Sequence, residues 1–331
     1  MKLSIIVTVY NGEQYLARCI DSLLKQKLED YEIVIINDGS TDASDSIIQQ
    51  YQATYPDKIC YLAKENGGVS TARNEGIKVS RGEYITYVDC DDYVEENCYR
   101  RLYEIAKKKD YDIVIYDMMV VDEKSKRYCE ARDGLKEGEI SPNEYVLTIP
   151  SPCNKIMKRK LFVDHAITFP EGMIYEDFAV IPTLANNACN IYYTKSPYYF
   201  YFQSASSIMR NEEYKEKYVD IFKAVKYLAN HLERPRFDME IEFLYYLYIL
   251  VEASLYFYHY GKEEYLQVTA DRMKKEFPNW RKNPYIRKDN RKRKLYAYLF
   301  YHKKYTLLKT MQVIKNKFRR TTNDKKNKRI N

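Results

Sequence analysis

The first third of the chain alternates short runs rich in β-branched residues with longer stretches in which apolar residues recur three or four positions apart. This alternation predicts an α/β fold with a mainly parallel sheet and helices on both of its faces. The strand candidates are Leu3–Tyr10, Glu32–Asn37, Lys58–Ala63, Tyr84–Asp89 and Asp112–Val121. The helix candidates between them are Glu13–Lys27, Thr41–Thr54, Val69–Ser80 and Glu95–Lys109.

Polar or glycine-containing segments follow each of the first four predicted strands. They are Tyr10-Asn11-Gly12, Asn37-Asp38-Gly39-Ser40-Thr41-Asp42, Asn66-Gly67-Gly68 and Asp89-Cys90-Asp91-Asp92. Ligands of such sheets bind beyond the carboxyl ends of the strands. The sequence therefore predicts that these four segments meet in one crevice.

The fourth segment places three carboxylates, Asp89, Asp91 and Asp92, within four residues. Clustered anions repel one another unless a cation lies between them, and oxygen ligands favour Mg²⁺ or Mn²⁺. A metal bound with a diphosphate-bearing substrate is the first hypothesis. The alternative for an isolated Asp-x-Asp is a solvated acidic turn.

The segments after the second and third predicted strands each allow both a ligand-binding and a purely structural interpretation. Asp38 could accept hydrogen bonds from a pyrimidine or a ribose, or it could belong to an ordinary capped turn. Gly67 and Gly68 let the backbone approach a ligand at a helix start, and Arg73 could reach a phosphate or pair with the acidic cluster. The chain contains no Gly-x-Gly-x-x-Gly or Gly-x-x-x-x-Gly-Lys run, which disfavours dinucleotide and P-loop sites.

A second region begins near Asp122 and contains the adjacent acids Glu176 and Asp177. Two acids that open a helix can simply be favourable partners of the helix dipole. A carboxylate brought from a second region to a nucleotide site could also be the general base for an incoming hydroxyl.

Taken together, five segments resemble the family 2 glycosyltransferases of the GT-A fold, in the order and spacing of that family. They are Val7–Gly12, Asn37–Asp42, Asn66–Gly76, Asp89–Asp92 and Tyr175–Asp177, and the resemblance covers about residues 1–185. It implies a Rossmann-like GT-A domain, to which the sequence adds a mainly α-helical C-terminal extension. Asn37 is one departure, because the family often has a second Asp there.

The resemblance implies an inverting, metal-dependent transfer of a sugar, usually from a UDP-sugar, assisted by Mn²⁺ or Mg²⁺. The acceptor would be a hydroxyl of a glycan or of a polyprenyl-linked molecule in surface polysaccharide biosynthesis. Carried over to this chain, Thr8, Val9, Tyr10 and Asp38 hold the base, Asp89 or Asp91 meets the ribose, Asp91 or Asp92 ligates the metal, and Arg73 helps to neutralise the diphosphate. Asp177 is the expected general base and Glu176 the alternative.

Two other readings predict different features. A sugar-phosphate nucleotidyltransferase should carry a glycine-rich, lysine-bearing loop after its first strand, and Tyr10-Asn11-Gly12-Glu13 is not such a loop. A non-catalytic membrane- or glycan-binding module has no need for the acidic segment, Asp38 and Glu176-Asp177 together.

The chain of 331 residues is long enough for more than one structural region. We predict four parts, at residues 1–121 (nucleotide-sugar half), 122–210 (acceptor side), 211–286 (helical) and 287–331 (basic tail). Seven cysteines without a Cys-x-x-Cys pair and only four histidines disfavour zinc and disulfide frameworks, which suits the reducing cytoplasm. The apolar stretch Phe243–Tyr260 is interrupted by Glu252 and crowded with tyrosine, so we expect no transmembrane helix.

Net charge is +7, but residues 287–331 alone carry 17 Lys and Arg against two acids. Within this tail, Leu295–Phe318 is predicted as one basic amphipathic helix, with apolar residues on approximately one face. Those residues are Tyr296, Phe300, Leu307, Met311, Ile314 and Phe318. We expect peripheral attachment to the anionic inner face of the cell membrane. A solvated tail is the alternative, and no nucleic-acid module accompanies the charge.

Overall fold

The structure is a computed structural model that describes residues 1–203 and 214–309. The chain forms two compact units, Met1–Arg234 and Pro235–Asn331. The first unit contains a single large sheet with helices, and the second unit is helical in its described part. The four-part division of the chain stays a prediction.

Ten strands of the first unit form one sheet within the described residues. They are β1 Leu3–Val9, β2 Tyr31–Asp38, β3 Ile59–Lys64, β4 Tyr84–Asp89, β5 Tyr93–Val94, β6 Ile113–Val121, β7 Lys126–Cys129, β8 Gly138–Ile140, β9 Lys155–Lys158 and β10 Ile191–Phe202. Their order is β3-β2-β1-β4-β9-β6-β10-β5, while β7 pairs with β6 and β8 pairs with β10.

The sheet is parallel across β3, β2, β1 and β4 and becomes mixed beyond β4. Strand β9 runs antiparallel to both β4 and β6, whereas β10 runs parallel to β6. Every residue of β2 is buried, and β1 exposes only part of Thr8. Such strands need cover on both faces, as parallel sheets in α/β proteins have. The predicted α/β class is confirmed, and the parallel arrangement applies to its first four strands.

The helices of the first unit are α1 Leu16–Leu24, α2 Ser44–Thr54, α3 Val69–Val79, α4 Cys98–Lys108, α5 Pro142–Val146, α6 Lys160–Val163, α7 Glu176–Val180 and α8 Ile221–His231. Helix α1 shows why they form, because Leu16, Cys19, Ile20 and Leu23 recur at helical spacing and are all buried. Helix α3 begins directly after Gly68, whose φ of 89° lies in the region that favours glycine.

The second unit contains α9 Asp238–Leu244, α10 Ser254–His259, α11 Glu263–Glu276, α12 Pro284–Lys288 and α13 Arg291–Tyr301. A π-helical segment, Tyr245–Ala253, joins α9 to α10. Tyr246, Ile249 and Leu250 of this segment are buried. The predicted helical C-terminal region is thus present. Across residues 1–203 and 214–309, no helix combines the length and apolar character needed to cross a bilayer.

The predicted continuous helix Leu295–Phe318 is wrong in its described part. Helix α13 ends at Tyr301, and Lys303 adopts a left-handed conformation with φ 54°. Phe300, which we placed on the membrane-facing side, is 1% exposed and lies 6.1 Å from the ring of Tyr258. Because Phe300 is buried in the second unit, it is not exposed on the predicted amphipathic face. Met311, Ile314 and Phe318 lie outside the described residues.

Candidate active site

Strand register brings the predicted nucleotide-binding residues to one edge of the sheet. Thr8 of β1 lies opposite Asp89 of β4, and Val9 lies opposite Asn37 of β2. Asp38 in turn lies opposite Lys64 at the end of β3. The carboxyl ends of four parallel strands therefore carry the predicted residues, as the sequence pattern required.

The loop after β1 is held by side chains from the segment after β2. The Asn11 amide donates to Ser40 Oγ at 3.0 Å, and the Gly12 amide donates to Ser44 Oγ at 2.9 Å. Asn11 Oδ1 accepts the Thr41 amide at 2.8 Å, which stabilises the positive φ of Asn11. Tyr10 is 54% exposed in this fixed loop. Its ring is accessible to a ligand.

Asp38 is 3% exposed and accepts three hydrogen bonds. Its Oδ1 accepts from Lys64 Nζ at 2.6 Å and from the Gly67 amide at 3.0 Å, and its Oδ2 accepts from the Gly68 amide at 2.8 Å. Asp38 thus fixes the turn before α3. A carboxylate offers about four acceptor positions, so one position remains on Oδ2. The amides of Gly67 and Gly68 are paired with Asp38, so a ligand would meet this turn through other atoms.

Asn37 has a structural reason to be an amide. Its Nδ2 donates to Asp45 Oδ1 at 3.0 Å, and its Oδ1 accepts the Ser40 amide at 3.0 Å. A carboxylate at this position could not donate to Asp45 and would repel it. The departure from the family pattern at residue 37 is therefore matched by the acid at residue 45.

Asp92 does not present its carboxylate to a ligand. Its Oδ1 accepts the Phe202 amide at 2.7 Å and its Oδ2 accepts the Tyr199 hydroxyl at 2.5 Å, and the residue is fully buried. Burial, followed by the charges of Asp89 and Asp91, raises the pKa of Asp92 well above its ordinary value. Asp92 joins the acidic loop to the end of β10. Of the two predicted metal ligands, Asp92 is therefore the one already engaged by the protein, and the choice of Asp91 stays a prediction.

Asp89 and Asp91 keep accessible carboxylates. The Asp89 side chain is 40% exposed, and Asp91 is partly exposed. Burial, together with the negative charge of Asp89, raises the pKa of Asp91 from 3.8 to about 6. A cation between the two carboxylates would offset the effect of Asp89 on the ionisation of Asp91. The acidic loop is held in place by Arg18, whose Nη2 donates to the Asp91 main-chain oxygen at 2.6 Å.

These two acids suit a metal that brings further ligands with it. Within residues 1–203 and 214–309, no group of three or more His, Cys, Asp or Glu side chains is arranged around a common metal position. Mg²⁺ in nucleotide sites commonly uses one or two carboxylates, with phosphate oxygens and water as the remaining ligands. The oxygen donors of Asp89 and Asp91 fit such a shared site.

Arg73 of α3 connects the acidic loop to the second half of the unit. Its Nη1 lies 2.6 Å from Glu176 Oε1 and its Nη2 lies 3.7 Å from Asp89 Oδ1. Arg73 is 6% exposed. Burial opposes its charge, yet Asp89 and Glu176 raise the pKa of Arg73 above its ordinary value. The sequence predicted that Arg73 would contact either a phosphate or the acidic cluster, and in this structure Arg73 is paired with acids.

Glu176 and Asp177 are the first two residues of α7, and their side chains make different contacts. Glu176 is 8% exposed and paired with Arg73, whereas Asp177 is partly exposed. Asp177 Oδ1 accepts the Phe178 amide at 2.7 Å, and Oδ2 makes no hydrogen bond to the part of the chain that the structure describes. Burial, followed by the charge of Glu176, raises the pKa of Asp177 from 3.8 to about 6, although Arg73 lowers it. Of the two acids, Asp177 is therefore the one with an unengaged carboxylate oxygen, and its role as general base stays a prediction.

Lys155, which the sequence did not assign to any role, organises the loop beside these acids. It is fully buried, and its Nζ donates to Ile149 O, Ser151 O and Asn154 Oδ1 at 2.6, 2.8 and 2.7 Å. Burial lowers the pKa of Lys155 to about 7, while the three acceptors match the three donors of an ammonium group. The loop places Cys153 Sγ 3.6 Å from Asp89 Oδ2.

The model of glycosyl transferase family 2 matches residues 4–165 of this chain. The glycosyltransferase GlyG of Streptococcus pneumoniae serotype 4 is 32% identical over 226 residues, which make up 63% of this chain and 73% of GlyG. The chain belongs to glycosyltransferase family 2. Asp177 lies beyond the matched residues 4–165, so its assignment rests on the geometry described above.

This family 2 glycosyltransferase also resembles enzymes of known structure. The crystal structure of S. aureus TarS 1–349 in complex with UDP matches with a TM-score of 0.60 at 25% identity, covering 73% of this chain and 70% of that one. The structure of GalNAc-T7 with UDP, GalNAc and Mn²⁺ shares the fold at a TM-score of 0.51 and 15% identity, covering 68% of this chain and 48% of that one. The GT-A fold is confirmed.

A second relative matches this chain over only a small part of its own length. The poly(ribitol-phosphate) beta-glucosyltransferase of Bacillus spizizenii is 33% identical over 173 residues, which are 51% of this glycosyltransferase. The same alignment covers 27% of the relative, so this chain spans about a quarter of that protein.

Four residues of the site were missed by the sequence, Lys64, Lys155, Tyr199 and Phe202. Lys64 directly follows a predicted strand, so its position at a strand end was an available signal. Tyr199 and Phe202 gave no such signal, because they bind Asp92 from more than 100 positions away. Long-range contacts of this kind have no local pattern.

Proposed function

We propose that this family 2 glycosyltransferase transfers a sugar, with inversion, from a UDP-sugar to a hydroxyl of a glycan or polyprenyl-linked acceptor in surface polysaccharide biosynthesis. One observation carries the proposal. Arg73 contacts both Asp89 and Glu176, although Arg73 and Glu176 are 103 positions apart. A candidate metal ligand and the residue adjacent to Asp177, the candidate base, thus belong to one cluster.

The nucleotide end of the donor fits the edge formed by β1 and β2. TarS, which is 25% identical to this chain, was crystallised with UDP, and this likeness supports a UDP-sugar here. Asp38 Oδ2 retains one acceptor position, which suits the single N–H of a uracil ring. The backbone of Thr8, Val9 and Tyr10 borders the same edge, and Asp89 would meet the ribose.

Asp91, with Asp89 beside it, would hold Mn²⁺ or Mg²⁺ together with the diphosphate oxygens. A bound divalent ion supplies positive charge that stabilises the departing diphosphate. Arg73 remains buried between Asp89 and Glu176, so its own contribution is to hold the two acids in place.

Asp177 would act as the general base. It accepts the proton of the acceptor hydroxyl as that oxygen forms its bond to the anomeric carbon. The bond from this carbon to the diphosphate oxygen breaks on the opposite face, and its electron pair leaves with UDP. A single displacement of this kind inverts the anomeric centre, and a well-placed base contributes about 10²–10⁴-fold to the rate.

The acceptor and the location are proposed on different grounds. The Bacillus spizizenii relative is named for a poly(ribitol-phosphate) acceptor, which supports a cell-surface polymer as the acceptor class. The 17 basic residues of the tail favour an anionic bilayer. We therefore place the enzyme in the cytoplasm, on the inner face of the cell membrane, where a polyprenyl-linked acceptor would be within reach.

The donor is tested by incubating the purified full-length chain with a panel of nucleotide sugars and Mn²⁺ and measuring nucleotide release. We expect UDP release from at least one UDP-sugar, loss of that release in Asp177→Asn, and retention in Asp164→Asn, a control at the end of α6. Proton NMR of the glycosylated product reports inversion. Release from none of the donors, or equal release in the Asp177 variant, would contradict the proposal.

Membrane attachment is tested separately by liposome flotation. We expect the full chain to float with vesicles containing about 30% anionic phospholipid and to dissociate at high salt, because screening weakens surface charge interactions. A chain ending at Lys309 keeps α13 with its buried Phe300 but loses eight of the 17 basic residues, so it should float less than the full chain. Equal flotation of both chains would exclude residues 310–331 as the attachment site.

A further inference from the structure

Successive residues of α3, Arg73 and Asn74, contact the two ends of one segment, residues 169–176. Asn74 Oδ1 accepts the Phe169 amide at 2.8 Å, and Asn74 Nδ2 donates to the Phe169 carbonyl at 2.9 Å. The carboxamide therefore pairs with both main-chain groups of a single residue. At the other end, Arg73 Nη1 contacts Glu176 Oε1 at 2.6 Å. Helix α3 thus fixes the segment that leads directly to Asp177.

Residues 170–175, between these two contacts, belong to no helix or strand. Two of them have left-handed backbone conformations, Gly172 with φ 73° and Tyr175 with φ 66°. A tyrosine adopts this conformation only where its surroundings impose it. The Ile174 amide also donates to Asp220 Oδ2 at 3.3 Å. The segment therefore takes its shape from side-chain contacts and not from a hydrogen-bond ladder of its own.

We infer that Asn74 is a positioning residue for the general base. It fixes the main chain at Phe169, so that the strained segment after it delivers Asp177 to the acidic loop. Asn74 is 8% exposed, and both ends of its carboxamide are used at Phe169, so it has no direct part in the chemistry. The inference rests on the proposed role of Asp177, and it assigns Asn74 a function in the transfer step and not in nucleotide binding.

The test compares Asn74→Ala and Asn74→Asp with Asn283→Ala in the full-length protein. Asn283 is a matched control in the second unit, because it is 1% exposed and also donates to a main-chain carbonyl, that of Met239, and accepts a main-chain amide, that of Tyr285. Asn74→Asp keeps the size of the side chain but cannot donate to the Phe169 carbonyl at neutral pH. It separates hydrogen bonding from packing.

In both Asn74 variants we expect kcat to fall about 10–100-fold, because small displacements of a reacting group have effects of this size. The KM for the UDP-sugar and the affinity for UDP by calorimetry should stay within about twofold of wild type, since the nucleotide-binding edge is untouched. Hydrogen exchange followed by mass spectrometry should speed up in residues 169–177 and stay unchanged in β1 and β2. Asn283→Ala should leave all of these values unchanged.

Three outcomes would overturn the inference. They are unchanged exchange at residues 169–177 in Asn74→Ala, wild-type kcat in Asn74→Asp, and a parallel loss of UDP affinity and kcat in the Asn74 variants. The exchange measurement needs no substrate. If the wild-type chain released UDP from no donor, the proposed function would fail, while exchange would still decide whether Asn74 holds the segment.

Discussion

Replacing Asp177 with asparagine should slow the transfer by about 10²–10⁴-fold and, at neutral pH, stabilise the first unit. The pKa of Asp177 is raised from 3.8 to about 6 by burial and by Glu176. Ionising this carboxyl therefore costs more in the folded chain than in the unfolded chain. The difference of about two pKa units corresponds to about 3 kcal/mol. Asparagine has nearly the same shape and carries no charge, so it removes this cost.

The sign of the effect depends on pH. Below about pH 4 the acid is neutral in both states, and the variant has no electrostatic advantage. Above about pH 6 the acid is ionised in both states and the full cost applies. We expect Asp177→Asn to be about 1–3 kcal/mol more stable than wild type at pH 7, the lower figure allowing for a weaker hydrogen bond from the Phe178 amide. The advantage should disappear as the pH falls from 6 to 4.

Differential scanning calorimetry suits this measurement, because the single tryptophan, Trp280, lies in the second unit and its fluorescence reports the wrong region. For a unit of this size, 1 kcal/mol shifts the transition by about 2–4 °C. The adjacent change Glu176→Gln should have the opposite sign. It removes the partner 2.6 Å from buried Arg73 and should cost about 3 kcal/mol.

Two results would refute this reasoning. The first is an Asp177→Asn variant that is less stable than wild type at pH 7. The second is a stability difference that does not vary between pH 4 and 7. Either result would mean that Asp177 is not a carboxylate destabilised by its surroundings. The transfer rate of the variant, expected to fall by about 10²–10⁴-fold, tests the role of Asp177 as base separately.

Three further variants change Arg73 and two acids of the loop after β4, Asp91 and Asp92. Arg73→Met removes the positive charge that lowers the pKa of Asp177, so the acidic limb of the kcat profile should move to higher pH; a limb at the wild-type position would contradict the assigned cause. Asp91→Asn should raise the Mn²⁺ concentration needed for UDP binding by about tenfold or more in calorimetric titrations, because it removes a charged ligand. Asp92→Ala should instead lower the free energy of unfolding by about 3 kcal/mol, because Tyr199 and Phe202 lose a buried partner. If Asp92→Ala raised the Mn²⁺ requirement and Asp91→Asn lowered only the stability, Asp92 would be the metal ligand instead of Asp91.

The first four strands and their helices could be predicted because local pattern and tertiary position agree there. Buried parallel strands give unbroken apolar runs, and α1–α4 cover them with regular apolar spacing. Strand β9, in contrast, has only four residues with lysine at each end, and Lys155 is buried only because three oxygen atoms surround its ammonium group. Strand β10 contains Pro197 and a register shift between Thr194 and Tyr199. Neither strand shows the alternation that identifies a strand from sequence.

In the site too, some features could be predicted from the sequence and others could not. Asp38, Asp89, Asp91 and Asp177 could be nominated because each follows a strand or opens a helix. The hydrogen bonds and ion pairs of these acids could not be predicted, because their partners are distant in the chain. Asp91 and Asp92 are neighbours in sequence, yet β10 closes around Asp92 and leaves Asp91 accessible.

The charges of the site explain why a cation and a base belong together in it. Asp89, Glu176 and Asp177 interact with one buried guanidinium, that of Arg73, and Asp91 interacts with Asp89. The negative charge of Asp89 raises the pKa of both Asp91 and Asp177, so the two ends of the cluster are electrostatically coupled through it. A diphosphate adds further negative charge and would raise the pKa of the base still more. Positive charge held at Asp89 and Asp91 acts in the opposite direction, because it lowers the cost of ionising Asp177. Under the proposed mechanism, the groups that would hold the donor would therefore also help to keep Asp177 deprotonated when the acceptor hydroxyl arrives.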